Sequence, residues 1–340
     1  MTVPEPRGVM DRLARGPVLG DGGYLLELEK RGYVQAGPFT PEVVIDHPEA
    51  LTQLHREFVR AGAEVLQTMT FYASDDKLAT VGLEGTVDEI NRNAVRIARE
   101  VAAEAGALVA GNLSLTWAYD PADPASSDHV RALIDRQLMD QLEAGPPDFF
   151  IGETFSYLTE ALLFVERAKA TGLPVMVTMS FETLPAKAYE GDTPGDCALR
   201  LAEAGADIVG VNCLNAPAQQ LPIAIEMVHA VGSTVPVAAQ PVAYATTTEH
   251  PDFTAFDEFP QSLSAVTLPR GDLARFAAEA RDAGVRYIGS CCGAVAEHVR
   301  EMAKVLGKLP TEERTWRSAT GKAMSAYEYY EDSTRSRRSL

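Results

Sequence analysis

The chain has 340 residues, 46% hydrophobic and 23% charged, which are the proportions of a globular protein with apolar surface enough for a sizeable core, so bulk disorder is excluded. A formal net charge of -18 repels phosphate backbones and anionic lipid surfaces, which argues against nucleic acid or a membrane as partner. No apolar leader-like region opens the sequence, and no run approaches the ~18 uninterrupted apolar residues of a membrane span, so a cytoplasmic protein is expected.

From residue 17 onward, short β-branched or apolar runs alternate with longer stretches of helical periodicity, the pattern of βα units in a parallel sheet. The predicted strands are Pro17 to Gly20, Ala63 to Thr68, Ala107 to Asn112, Asp148 to Glu153, Pro174 to Ser180, Ala206 to Cys213, Val235 to Gln240 and Arg286 to Cys291. Amphipathic helices are predicted at Pro48 to Arg60, Val87 to Ala105, Val130 to Leu142 and Leu273 to Ala283. Gly62, Gly205 and Gly284 each follow a helical stretch and precede a strand, where glycine is a common C-terminal stop. Eight such units predict a single (β/α)8 barrel over residues 1–307. An open doubly wound sheet is the competing architecture, but no Gly-x-Gly-x-x-Gly fingerprint follows the first strand. The stretch Tyr244 to Arg270, with Pro251, Pro260 and Pro269, reads as one long loop, and residues 308–340 read as a polar tail, either disordered or, through Tyr327 to Tyr330, an oligomer contact.

Barrel enzymes carry their chemistry at the C-terminal ends of the strands, and Cys213, Cys291 and Cys292 fall at the ends of the sixth and eighth. Three thiolates and one exchangeable position make a catalytic zinc site, so Zn2+ is the expected cofactor. A disulfide between Cys291 and Cys292 is disfavoured, because adjacent Cα atoms lie ~3.8 Å apart, short of the usual span. Cys197, after Pro194 and Gly195 at a helix start, reads as core. A zinc so rich in thiolate activates water poorly; a substrate thiol in the fourth position, deprotonated although a free thiol has a pKa of ~8.5, is the better fit and would attack an electrophilic methyl group.

Five motifs carry a family resemblance: Gly20-Asp21-Gly22-Gly23 with Leu28-Glu29-Lys30-Arg31-Gly32-Tyr33; Gln67-Thr68 leading into Thr70-Phe71-Tyr72-Ala73-Ser74; Gly210-Val211-Asn212-Cys213; Arg286-Tyr287-Ile288-Gly289; and Cys291-Cys292-Gly293. Over roughly residues 8 to 305 the chain resembles the homocysteine methyltransferases, and among them the betaine-homocysteine S-methyltransferases. The resemblance implies a (β/α)8 barrel, zinc held by Cys213, Cys291 and Cys292, homocysteine and a cationic methyl donor as substrates, and a homo-oligomer. It implies that Asp21 and Glu153 bind the amino group of homocysteine, Glu153 counting with the three cysteines among the catalytic residues. The backbone of Gly22 and Gly23 is expected to receive the carboxylate, and Thr68 joins the substrate-binding set. The Gly-Gly turn suits an anion, because amide N-H groups can approach closely there.

An onium centre offers no conventional hydrogen bond, so aromatic faces are its natural partners. Tyr72 matches a donor-site aromatic of the family, and Phe71 and Phe39 are further candidates. Two positions depart from the betaine enzymes: Phe39 stands where they carry tryptophan, and Thr154 where they carry a tyrosine that can occupy the fourth zinc position. Neither departure touches the thiolates, but both leave the donor open between glycine betaine, S-methylmethionine, a dimethylsulfonio compound and another betaine. A non-catalytic zinc-binding barrel is the alternative of a different class.

Overall fold

The computed structural model describes residues 8–35 and 37–309. The strands are β1 (Val18–Leu19), β2 (Val65–Gln67), β3 (Leu108–Ser114), β4 (Phe149–Phe155), β5 (Val175–Met179), β6 (Ile208–Asn212), β7 (Val237–Gln240) and β8 (Tyr287–Ile288). They run parallel in the order β1-β8-β7-β6-β5-β4-β3-β2. The seam between β1 and β2 is bridged by the Glu64 amide donating to the Leu19 carbonyl at 2.9 Å and the Leu19 amide donating to Glu64 Oε2 at 3.0 Å. The result is a nearly closed (β/α)8 barrel, the predicted fold, with each predicted strand overlapping an observed one.

Each strand is followed by a helix on the outside: Pro48–Ala61, Val87–Ala105, Ser126–Glu143, Leu158–Lys169, Pro194–Glu203, Pro217–Val231, Arg270–Asp282 and Ala296–Val305. Leu51, Leu54 and Phe58 on the first and Ile90, Ala94 and Val101 on the second show how apolar spacing near 3.6 seats a helix against the sheet. The three stops foreseen at Gly62, Gly205 and Gly284 have φ of +105°, +101° and +96°, left-handed values that cost glycine little. Thr193 begins the fifth helix with a capping box shared with Asp196, and Cys197 behind it is fully buried in core.

Strand side chains alternate, and inside the barrel the alternation separates two layers. The lower layer is apolar: Val65, Leu108, Phe149, Met176, Ile208, Ala238 and Tyr287 cluster there, and Val9 and Leu13 of the short helix Val9–Arg15 join it. Two or four residues further along the same strands the inward positions are polar: Gln67, Asn112, Glu153, Thr178, Asn212 and Gln240, all buried. Period-two spacing therefore puts a greasy plug under a polar mouth.

The segment expected as one long loop after β7 is more ordered than that. It contains the 3-10 turns Phe253–Ala255 and Leu263–Val266 and a bridge between Tyr244 and Thr267, because Tyr244, Phe253 and Leu263 bury their side chains in a cluster with Leu26, Cys213 and Val242. At the other end, Lys308 Nζ pairs with Glu64 Oε2 at 2.7 Å. The rest of the predicted tail, with Tyr327 to Tyr330, lies outside the described residues. No described helix is long and apolar enough to cross a membrane.

Gly210 on β6 has no room for a side chain, since a Cβ there would lie 2.2 Å from the Ala238 carbonyl oxygen of β7. Gly210→Ala should destabilise the barrel by about 1–3 kcal/mol or more, because backbone cannot yield as a side-chain tip does. Urea unfolding followed by circular dichroism measures it, and an unchanged midpoint would contradict this packing.

Candidate active site at the mouth of the barrel

Above the polar layer opens a cleft of about 550 Å³, lined among others by Gly22, Gly23, Thr68, Phe71, Glu153, Cys213, Cys291 and Cys292. The loops around it are strained. Among the described residues, positive φ outside glycine occurs at Phe39 (51°), Tyr72 (59°), Trp117 (61°), Thr154 (65°), Cys213 (58°) and Leu214 (52°), all but Phe39 at or soon after a strand end on this face. Such backbone costs about 1–3 kcal/mol per residue and persists only where surroundings enforce it, a pattern typical of functional sites. At Cys213 the enforcement is visible: its amide donates to the Gln240 carbonyl at 2.9 Å, and its own carbonyl accepts from Gln220 Nε2 at 3.1 Å.

The sulfurs of Cys213, Cys291 and Cys292 lie within 4.8 Å of one another, with Cys213 Sγ 3.7 Å from Cys292 Sγ. All are free thiols. The Gly22-Gly23 turn of the β1 loop threads beside them, where a Cβ on Gly23 would come 2.7 Å from the Cys291 carbonyl oxygen and one on Gly22 would come 2.6 Å from the Phe58 ring. Glycine is demanded here by close approach. The hydrogen bond to Cys213 and burial push the Cys291 thiol well above its ordinary value, so three such groups ionise together only around a cation. The cluster can hold a metal ion, and soft thiolate ligands in threes suit a tetrahedral metal with one position exchangeable.

Beside the sulfurs stands a carboxylate network. Glu153 accepts from Asn112 Nδ2 at 2.6 Å and from Asn212 Nδ2 at 3.1 Å. Asn212 is fixed in turn, its Oδ1 accepting from Thr178 Oγ1 at 2.8 Å and the Thr154 amide at 2.9 Å. Burial raises Glu153 to about 7, against the Asn112 hydrogen bond and reinforced by the charge of Asp21. Asp21 is fully buried and does not itself line the cleft. Its carboxylate accepts from the Tyr24 hydroxyl at 2.5 Å and the Gln67 amide at 2.8 Å, and burial raises it to about 6. Tyr24 also meets His55 Nδ1 at 3.0 Å, and burial pushes that imidazole down to about 3, so it is neutral. No lysine or arginine among the described residues lines the cleft.

The other expected residues divide. The Gly23 amide is committed to the Ala294 carbonyl at 2.9 Å, whereas the Gly22 amide has no protein acceptor among the described residues. Thr68 lines the cleft, but its hydroxyl already accepts from the Asn112 amide at 2.8 Å and lies 2.9 Å from the Thr70 hydroxyl. Phe71 lines the cleft and packs on Tyr72 with ring centroids 4.2 Å apart. Burial raises the Tyr72 hydroxyl to about 12, with Cys213 and Cys292 adding to the effect. Phe39 lies against Phe259 at 5.8 Å, beside the cluster that holds Tyr244.

Sequence reasoning passed over Gln240, Asn112, Asn212 and Tyr244. Gln240 lines the cleft, is 1% exposed, and neither its Nε2 nor its Oε1 has a hydrogen-bond partner. The ends of the predicted strands at Asn112 and Gln240 carried the signal, because a polar residue two or four positions beyond an inward apolar one points into a barrel mouth.

Fold and site define a barrel whose strand-end face carries three cysteines that could hold a metal ion. The chain belongs to the homocysteine S-methyltransferase family, whose pattern matches residues 18–306. Betaine-homocysteine S-methyltransferase 1 of Danio rerio is 45% identical over 315 residues, covering 89% of this chain and 76% of its own length. An S-methylmethionine-homocysteine S-methyltransferase of Pongo abelii is 40% identical over 314 residues, covering 88% of this chain and 81% of its own. The metallated homocysteine methyltransferase of Escherichia coli shares the fold, with a TM-score of 0.67 at 21% identity over 84% of this chain and 95% of that one.

The two carboxyl groups set a pH dependence. Their folded values, about 6 for Asp21 and about 7 for Glu153, lie above the ordinary carboxyl range, so ionising them inside the cup costs stability as pH rises through that window. A ligand ammonium offsets that cost only where they are ionised. L-homocysteine should therefore raise the Tm of zinc-loaded protein more at pH 8 than at pH 5.5, and Asp21→Asn should shrink the difference; equal stabilisation at both pH values would contradict this electrostatic reading.

Proposed function

We propose that this protein is a zinc-dependent methyltransferase that moves a methyl group from an onium donor, glycine betaine in the first instance, to the sulfur of homocysteine, giving methionine and dimethylglycine. One observation carries the reading: three free thiols within 4.8 Å of one another open onto the same cleft as a buried carboxylate and an aromatic face. Zinc held by Cys213, Cys291 and Cys292 would supply a fourth position at which a substrate thiol loses its proton near neutral pH, a task these thiolates suit better than water activation.

The chain's own residues do the rest. Glu153 and Asp21 supply the negative charge that meets the homocysteine ammonium, with Asn112 and Asn212 holding Glu153 in place. The Gly22 amide and the unpartnered Gln240 carboxamide are available to the amino-acid carboxylate. Phe71 on the cleft wall and Tyr72 packed on it would offer faces to the onium, while Phe39 packs with Phe259 against the cluster that holds Cys213. As the sulfur attacks the methyl carbon in line, the sulfur-carbon bond forms and the carbon-nitrogen pair leaves with dimethylglycine, so positive charge disappears. A cleft with little water favours that loss of charge.

S-methylmethionine is the second donor to be weighed, because Thr154 and Phe39 are smaller than their betaine-enzyme counterparts and a relative at 40% identity carries that donor in its name. The chain as isolated should contain about one zinc per polypeptide, and Cys213→Ser should lose most of it. Initial rates with glycine betaine, S-methylmethionine and dimethylsulfonioacetate separate the donors. Equal or faster turnover with a sulfonium would defeat the betaine assignment, and zinc-loaded protein that binds no homocysteine and consumes no donor would make this a non-catalytic barrel.

A further inference from the structure

Lys77 lies on the short helix Asp75–Ala79 in the connection after β2, half-buried, in a position its charge does not explain. The acids next to it are engaged elsewhere: Asp75 Oδ1 with Arg136 at 2.6 Å and Asp76 Oδ2 with His129 at 2.6 Å. No carboxylate pairs with Lys77 among the described residues. Its ammonium is instead held between two aromatic faces, 4.3 Å from the centroid of Tyr72 and 4.9 Å from that of Trp117. Aromatic faces stabilise a cation without neutralising it, so the ammonium remains able to accept an anion.

The two rings are themselves set in place at some cost. Trp117 is 60% exposed on a backbone of φ +61°, and its indole Nε1 donates to the Tyr72 hydroxyl at 3.2 Å. The turn that carries it is fixed by Glu160, whose Oε1 accepts from the Thr116 amide at 2.7 Å and the Thr116 hydroxyl at 2.6 Å. Tyr72 has φ +59°, and its amide donates to Ser114 Oγ at 3.1 Å. An exposed indole and a partly buried phenol, both on left-handed backbone, are thus brought together from two loops around one cation that no carboxylate pairs. Tyr72 connects this cage to the cleft through Phe71, which lines the cleft and packs on the Tyr72 ring.

We propose that Lys77, caged by Tyr72 and Trp117, binds the carboxylate of the methyl donor, so that the donor site selects onium carboxylates with no further positive charge. The inference rests on the donor reading above and sharpens it. From the sulfurs outward the site runs thiol, aromatic face, ammonium, which is the complement of a methyl, an onium centre and a carboxylate in series. Glycine betaine, with one carbon between its two charges, matches that series. S-methylmethionine brings an extra ammonium toward Lys77, and a carboxylate-free onium leaves Lys77 unpaired.

The chain has two tryptophans, Trp117 and Trp316, so Trp316→Phe leaves Trp117 as the single indole. In that background, zinc-loaded protein is titrated with glycine betaine and with tetramethylammonium while tryptophan emission is recorded. Betaine should shift the Trp117 emission saturably. Lys77→Met should weaken betaine binding about tenfold, the scale of one charge-assisted contact, and change tetramethylammonium binding by less than about twofold. Lys77→Arg, which keeps the charge, should restore most of the affinity. Betaine binding unaltered in Lys77→Met, or equal loss of both ligands with Lys77→Arg no better, overturns the proposal. Active enzyme whose KM for betaine ignores Lys77 likewise overturns it while the methyltransferase reading stands. Lys77-dependent betaine binding without any methyl transfer supports it and removes the reading instead.

Discussion

The mouth of this barrel concentrates acidic groups that no cationic side chain among the described residues neutralises. Three thiols and the Glu153 carboxyl face one cleft, Asp21 lies directly behind it, and no lysine or arginine among the described residues lines it. In a buried setting such groups hold their protons until a cation replaces them, and Glu153 at about 7 and Asp21 at about 6 express that tension. Ligand selection follows from it. On the proposed reading a divalent metal would answer the sulfurs, an ammonium would answer the carboxylates, and an onium donor would add positive charge to the same site before surrendering it. The chemistry of alkylation therefore relaxes a charge balance that the fold has set up.

The barrel produces this concentration by simple means. Alternation along the strands puts Val65, Leu108, Phe149, Ile208 and Ala238 in a lower apolar layer and sends Gln67, Asn112, Glu153, Asn212 and Gln240 into the layer above. The apolar plug keeps water from reaching the network from below, and amide side chains orient the carboxylate from within. The loops then bear the strain. Among the described residues six non-glycine positions have positive φ, among them Cys213 and the cage-forming Tyr72 and Trp117. Stability lost in those turns is supplied by the core beneath, a division of labour common to enzyme scaffolds.

Much of this was legible in the sequence. Strand ends at Cys213 and before Cys291-Cys292 placed the three sulfurs at one face, since a parallel barrel gathers its strand C-termini. The glycine stops at Gly62, Gly205 and Gly284 fixed the rhythm of the units. Gln240 and Asn212 escaped notice because a polar residue at the end of an apolar run reads equally as a turn. The hydrogen bonds that Asp21 accepts from the Gln67 amide and the Tyr24 hydroxyl were not legible, because they depend on how β1 and β2 meet. The Lys77 cage was invisible for a related reason, because its partners come from loops after β2 and β3 and no local pattern records their meeting. The long segment after β7 read as loop by its prolines, yet Tyr244 and Phe253 bury against Cys213 and order it.

The central claim is that the three sulfurs jointly hold a metal whose remaining position receives a substrate sulfur. Zinc-edge X-ray absorption on the loaded protein, before and after addition of L-homocysteine, tests it most directly. The account predicts about three sulfur scatterers near ~2.3 Å in the free enzyme, rising to four when the amino acid is present. A shell dominated by nitrogen or oxygen, or a sulfur count indifferent to homocysteine, would contradict it.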